Sequence, residues 1–290
     1  MIESFLKYLR YEKRYSTHTL SSYENDLLQF EQFLLAEFES EPPQASPVMV
    51  RAWVVSLMED GLEPRSINRK ISSLKSFYKF LLRQGSLEKD PTWKIQVLKT
   101  PKNIPHFVQE QELSLALDNS ALPDNLPELR DRVIIELLYT TGMRRAEIIS
   151  LQNQDINFTA CTLKVLGKRN KERVIPFPAS LLPLLSQYRA KKEAEWGIES
   201  PAFIVNNKGT TCSPMFIYQT VKRFLGHLSV DKKSPHVLRH TYATHLLNRG
   251  ADLNAIKDLL GHTSLAATQV YAHNTLDKLK RVFDQAHPKA

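Results

Sequence analysis

The chain has 290 residues, with 39 Lys and Arg against 31 Asp and Glu, a formal net charge of +8. At about 150 residues per domain this length points to two domains, each able to bury a core. With 42% hydrophobic and 24% charged residues, the composition excludes disordered and fibrous classes. Two cysteines, Cys161 and Cys212, are too few for a disulfide framework or a four-ligand zinc site. The opening Met1-Ile2-Glu3-Ser4-Phe5 lacks the basic and apolar regions of a signal peptide. No stretch approaches the ~18 apolar residues of a membrane span. A cytoplasmic, reduced protein with no membrane partner is therefore expected. An isoelectric point near 9.3 suits a polyanionic partner, although many basic proteins bind no nucleic acid.

In chain order, a helix is expected over about 2–13, and a second after the N-cap candidates Ser16 and Thr17, with Leu20, Tyr23, Leu27, Leu28 and Phe30 at helical spacing. A third covers about 47–60, opened by Ser46 and Pro47. The fourth runs from about 64 to 84 and stops at Gly85. It carries an apolar stripe of Ile67, Ile71, Leu74, Phe77, Tyr78 and Leu81, with Arg65, Arg69, Lys75 and Lys79 largely elsewhere. Basic side chains interleaved with Ser66, Asn68 and Ser72 suit DNA contact, and an ordinary wetted helix face has the same look. Pro101 and Pro105 interrupt the segment that follows, which reads as an extended linker over 96–106 between domains at 1–95 and 107–290. Its Lys99 and Lys102 could lie on a phosphate backbone or simply in solvent. Residues 1–103 carry a charge balance of +2 and residues 104–290 one of +6.

The second part reads as mixed. Helices are expected over 127–140 and from Thr141-Gly142 to about 151, then two short strands, 162–166 and 173–176, around a polar tip. Further helices follow near 180–195, 214–228, 236–249, 252–260, 264–272 and 275–284. The fold class is mainly α with a small β-sheet.

Four segments of this part carry candidate chemistry. Arg144 follows Thr141-Gly142 at an expected helix start, where free amides and a bidentate guanidinium favour an anion; a surface residue paired with Glu147 is the plainer reading. Lys168 sits at the expected hairpin tip, exposed or reaching into a groove. In His236-Val237-Leu238-Arg239-His240, His236 and Arg239 share a helical face and can converge on one anion. His236 and His240 could also share a metal, but Val237 stands where a zinc hydrolase has its Glu and no thiol or carboxylate cluster follows, so no metal is expected. Leu259-Leu260-Gly261-His262 precedes Tyr271, ordinarily a packing tyrosine. No single item is specific; their joint order is.

That order, Arg, a Gly-Lys hairpin, His-x-x-Arg, Gly-His, then Tyr, resembles the active site of the tyrosine recombinases, the lambda-integrase family. Gly142-Met143-Arg144-Arg145-Ala146-Glu147 is similar to the family's first-arginine motif, and the segment from His236 to His245 to its second-arginine helix. Leu259-Leu260-Gly261-His262-Thr263-Ser264, with Thr268-Gln269-Val270-Tyr271, resembles the stretch that ends at the nucleophile. The length and the tail Ala286-His287-Pro288-Lys289-Ala290 look most like the Xer type, leaning to its XerC branch. Met143 replaces a commoner Leu, and Arg169 stands where the hairpin usually has a second Gly, which leaves Lys171 as the fallback for Lys168.

The resemblance implies a SAM-like helical core-binding domain and an α+β catalytic domain. Tyr271 would attack a DNA phosphodiester to form a 3′-phosphotyrosyl link, Arg144 and Arg239 would clamp the nonbridging oxygens, and His262 would add a hydrogen bond. His236 would take or relay the tyrosine proton, Lys168 would protonate the leaving 5′ oxygen, and Glu147 would orient the cluster. No cofactor is expected. The implied partners are double-stranded DNA carrying an inverted-repeat site and a homotetramer, or a heterotetramer with a second recombinase, with a DNA translocase as a further candidate. Strand exchange would pass through a Holliday junction, and the C-terminal helix, through Leu276, Leu279, Val282 and Phe283, would dock on a neighbour or pack on its own subunit. The role expected is chromosome or plasmid dimer resolution; a mobile-element integrase, a type IB topoisomerase-like enzyme and a DNA-binding protein without catalysis are the alternatives.

Overall fold

The computed structural model describes residues 1–100, 106–118, 122–167, 172–197, 200–261 and 285–288. Its contacts separate into two compact units, Met1–Asn103 and Ile104–Ala290.

In the first unit the caps set the helices. After α1 (Ile2–Tyr11) the chain turns through Arg14, whose φ is +51°. Helix α2 (Thr17–Phe38) starts where the Ser16 hydroxyl accepts the Thr19 N–H at 3.3 Å. In α3 (Pro47–Glu59) Ser46 accepts the Met49 N–H at 3.3 Å, and Pro47 opens the first turn. Helix α4 (Pro64–Arg83) ends before Gly85, whose φ of +68° is left-handed. All six residues of its expected apolar stripe are buried against Phe5, Phe30 and Trp53 from the other three helices.

The unit's core also holds a buried charge cluster that hydropathy patterning does not show. Asp26 of α2, 1% exposed, accepts from Arg69, from Lys70 at 3.1 Å and from Ser73 at 2.8 Å, all on α4. Lys70 is itself buried and also donates to Gln29. The wet side of α4 is partly occupied too. Asn68 exchanges two hydrogen bonds with the backbone of Leu98, at 2.8 and 2.9 Å, and Lys75 donates to the Ile95 carbonyl at 2.8 Å. Residues 95–98 are therefore fastened to α4 before the chain leaves it.

The second unit is built round α6 (Leu126–Thr141), which is buried on nearly every side between α8 (Leu182–Trp196), α9 (Pro214–Leu225) and α10 (Pro235–Asn248). A helix over Glu110–Asp118, α5, is absent from the sequence expectation. Its Leu113, Leu115 and Leu117 alternate like a strand, yet Leu113 and Leu117 are buried one turn apart while Leu115 is 62% exposed. The expected helix start at Thr141-Gly142 is also displaced. Gly142 closes α6 with a φ of +60°, and α7 (Arg145–Ser150) begins only after Arg144. The hairpin is an antiparallel three-stranded sheet in the order β1 (Ile156–Asn157), β2 (Thr162–Leu166), β3 (Glu172–Pro176), pairing Val165 with Arg173 and Leu166 with Glu172. Helix α11 (Leu253–Leu260) ends at Gly261, and Ala286 and His287 pack beside Tyr139 and Tyr242 of the same chain. The helices expected over 264–272 and 275–284, with Leu276, Leu279, Val282 and Phe283, fall outside the described residues. Among the described residues no helix is long and apolar enough to cross a membrane.

Removing one partner of a buried ion pair strands the other without water. Asp26→Ala is thus expected to cost about 3 kcal/mol, the low end for such losses because Arg69 is half exposed. Urea unfolding of the full chain checks this, and Lys70→Met added to Asp26→Ala should recover part of the loss.

Candidate active site

Helix α11 is short, and the carbonyls of its last turn lack partners within the helix. Gly261, with a φ of +64°, turns the chain and bonds back to Asp258 and Lys257. The next three carbonyls each receive an arginine from a different element. The Leu259 carbonyl accepts Arg173 Nε at 3.2 Å, the Leu260 carbonyl accepts Arg239 Nη2 at 2.6 Å, and the Gly261 carbonyl accepts Arg144 Nη2 at 3.2 Å. The negative end of the helix thus gathers three guanidinium groups.

One carboxylate lies among them. Glu147 of α7, 4% exposed, accepts from Arg144 Nη1 at 2.9 Å, from the Arg144 N–H at 2.7 Å, and from Arg173 Nη1 and Nη2 at 2.7 and 2.8 Å. Burial alone pushes its carboxyl up; the bonds from Arg173 and from the Arg144 N–H and guanidinium more than offset this and hold it below its ordinary value. The N–H at the start of α7 is consequently filled by the chain's own carboxylate, and it is the guanidinium of Arg144 that remains to meet an anion.

Arg239, on α10, is buried and also donates Nη1 to the carbonyl of Gly142. Burial, and then the positive charge of Arg144, pull its pKa down to about 10, so it stays charged at neutral pH. Gly142 has no room for a side chain: a Cβ there would stand 2.4 Å from the ring of Tyr242. His236, one turn before Arg239, lies on the exposed side of α10, while Val237 and Leu238 are buried as expected. Partial burial lowers its pKa most, and His240, Arg239, Arg145 and Arg144 lower it further. His245, farther along α10, is fixed between the Val108 carbonyl at 2.9 Å and the Tyr139 hydroxyl at 3.1 Å. Among the described residues no three His, Cys, Asp or Glu side chains gather as metal ligands would.

Of the sequence candidates, the structure brings together Arg144, Glu147 and Arg239, with His236 beside them. Lys168, its fallback Lys171, His262, Tyr271 and Lys102 lie outside the described residues. Arg65, Arg69, Lys75 and Lys99 belong to the first unit, where Arg65 and Lys99 are exposed while Arg69 and Lys75 already hold Asp26 and Ile95. Arg173 was not among the candidates. Its signal was parity: it shares the strand face of buried Ile175, an inward position where an arginine needs a partner.

Comparison with known proteins gives consistent matches over the whole chain. A family model described as "Phage integrase family" matches residues 106–277, and one described as "Phage integrase, N-terminal SAM-like domain" matches residues 2–85. The tyrosine recombinase XerC of Staphylococcus aureus is 38% identical, covering 99% of this chain and 96% of that protein. The tyrosine recombinase XerC of Chlorobaculum parvum is 35% identical, covering 100% and 94%. Among solved structures, the Tn1549 transposon integrase in complex with transposon right end DNA shares the fold at a TM-score of 0.74 and 17% identity, over 97% of this chain and 98% of that one.

A carboxyl held lower in the folded than in the unfolded chain adds stability above its unfolded pKa and loses it as pH falls through the folded one. The stability gap between wild type and Glu147→Gln is therefore expected to be full near neutral pH and to shrink as pH falls below about 4.5. Urea midpoints measured across that range test it; a gap unchanged in acid would mean that Glu147 is not the ionised centre of the cluster.

Proposed function

Because the chain belongs to the phage integrase family, the tyrosine recombinases, which cut and rejoin DNA strands, we propose that the arginine cluster at the end of α11 is the seat of its strand cleavage. The protein is a site-specific recombinase that acts on DNA in a multimeric assembly. The observation that carries the assignment of the site is the pairing of Arg144 and Arg239 on adjacent carbonyls, Gly261 and Leu260, with one carboxylate among three guanidinium groups in the described residues. That surplus positive charge is built before substrate arrives, and it suits a phosphorus centre that gains negative charge during attack.

In this reading the Tyr271 oxygen attacks the scissile phosphorus, forming a 3′-phosphotyrosyl bond as the bond to the 5′ oxygen breaks. The broken bond's energy is kept for rejoining, and no nucleotide or metal is required. Arg144 and Arg239 bind the nonbridging oxygens in forked geometry, His262 adds a donor, and Lys168 protonates the departing 5′ oxygen. His236 receives the proton from Tyr271. Its lowered pKa supports this, since the imidazole is neutral at pH 7 and can accept. Glu147 orients Arg144.

The likeness to XerC proteins supports a role in resolving chromosome or plasmid dimers in the cytoplasm, on an inverted-repeat site, as a tetramer of this chain or with a second recombinase, and under a translocase. Arg65 and Lys99, exposed in the first unit, are proposed to contact the DNA backbone together with Lys102 and the remaining donors of Arg69 and Lys75. The transposon integrase likeness, at 17% identity, carries the fold and not the role.

The Tyr271→Phe protein is expected to select an inverted repeat from a randomised duplex library. On a nicked duplex built from that repeat, in magnesium-free buffer, wild type should give a covalent protein–DNA adduct after denaturation and Tyr271→Phe none. An adduct from Tyr271→Phe would remove Tyr271 as the nucleophile. Arg239→Ala should slow adduct formation by ~10²-fold or more while leaving site affinity within about threefold, because its contact strengthens in the transition state.

The pH profile of adduct formation gives a separate check. A neutral His236 held below the free histidine value of about 6.5 places the acid limb of the wild-type profile below that value. His236→Ala should lower the plateau and remove the limb.

A further inference from the structure

The chemistry above leaves one guanidinium of the cluster without a task. Arg173 reaches Glu147 with both terminal nitrogens and the Leu259 carbonyl with Nε, and its side chain is 14% exposed. Each carboxylate oxygen of Glu147 is therefore shared. Oε1 accepts from Arg173 Nη1 and Arg144 Nη1, and Oε2 accepts from Arg173 Nη2 and the Arg144 N–H. About four lone-pair sites exist on a carboxylate, so Glu147 is full.

Without Arg173, a buried anion would have two sites open and one guanidinium in reach. A carboxylate and a guanidinium so placed close into a two-point fork. Arg144 would then turn onto Glu147 and leave the Gly261 carbonyl. In the intact cluster Arg144 gives Glu147 one guanidinium bond and Gly261 another, two of its five donors among the described residues. The second grip concerns the end of α11. A Cβ on Gly261 would stand 3.1 Å from Arg173 Nη1, so the backbone there runs directly against this side chain. Pairing with Val165, one pair short of Leu166 and Glu172 at the turn, places Arg173 near the tip end of the hairpin.

We infer that Arg173 is a positioning residue for strand cleavage: it saturates Glu147, so that Arg144 keeps donors for the scissile phosphate, and it fixes the turn at Gly261 from which the chain runs on to His262 and Tyr271. The inference rests on the reading of Arg144 as a phosphate clamp.

The test compares adduct formation on the selected nicked duplex with the same duplex carrying a methylphosphonate at the scissile position, where one nonbridging oxygen and its charge are gone. Arg173→Lys and Arg173→Gln are expected to slow adduct formation by ~10²-fold on the phosphate, with site affinity within about threefold of wild type. On the methylphosphonate their deficit relative to wild type should fall to about tenfold or less, as should that of Arg144→Ala, because less charge needs balancing. A deficit of the Arg173 variants that is equal on both substrates, while that of Arg144→Ala shrinks, would assign Arg173 to folding alone and overturn the inference. An undiminished deficit for Arg144→Ala would overturn the clamp reading and this inference with it. A second measurement needs no altered DNA: neutralising the anion that captures Arg144 should restore rate, so Arg173→Gln with Glu147→Gln is expected to cleave faster than Arg173→Gln alone. Equal or slower cleavage by the double variant counts against the inference.

Discussion

The arginine cluster of the second unit depends on the end of one short helix. The carbonyls of Leu259, Leu260 and Gly261 have no partners further along α11, and each is taken by an arginine from another element: β3, α10 and the residue ahead of α7. Three like charges would not collect unaided in a half-buried place. The orphan carbonyls, the helix dipole and the Glu147 carboxylate together make it tolerable. Burial, and after it the nearby charge of Arg144, still pulls the Arg239 pKa down to about 10. A surplus of positive charge is what a site that must stabilise a phosphoryl transition state requires.

The close approaches round this cluster constrain the backbone as firmly as the charges do. Gly142 and Gly261 both take left-handed φ; a methyl group at Gly142 would strike the Tyr242 ring, and one at Gly261 would press on the Arg173 guanidinium. Arg239 bridges the two turns, through the Gly142 carbonyl on one side and the Leu260 carbonyl on the other. The first unit uses a related device, with Asp26 holding Arg69, Lys70 and Ser73 of α4. In both units a buried carboxylate fixes cations on a neighbouring element, and helix propensity has little to do with it.

Much of this was legible in the residues. The serine caps opened α2 and α3, the apolar stripe of α4 proved to be its buried face, and the order of Arg144, His236 and Arg239 marked elements that do meet. What was missed shares one cause, since pattern reports which side of an element is wet and not which polar group another polar group will find. Lys75 and Arg69 sit among the basic residues of α4, yet a carbonyl and a carboxylate distant in sequence have claimed them. Arg173 is alternately placed like a core residue, and only the tertiary position of Glu147 explains why. Helix α5 was hidden because three leucines at a spacing of two imitate a strand.

The same distinction divides the cations by function. Arg65 and Lys99 are exposed, so their attraction to a polyanion is long-ranged, weakens with salt and says little about geometry. Arg239 is the opposite case: buried, doubly bonded to backbone carbonyls and already desolvated before DNA arrives. Desolvation of a charge is a cost met by folding, so it does not have to be met again during reaction. On the proposed assignment of the site, a group prepared in this way contributes little to finding DNA and much to the moment when charge builds on the phosphate. The net charge of +8 therefore mixes two populations, and it is the smaller, buried one whose positions are dictated by the fold.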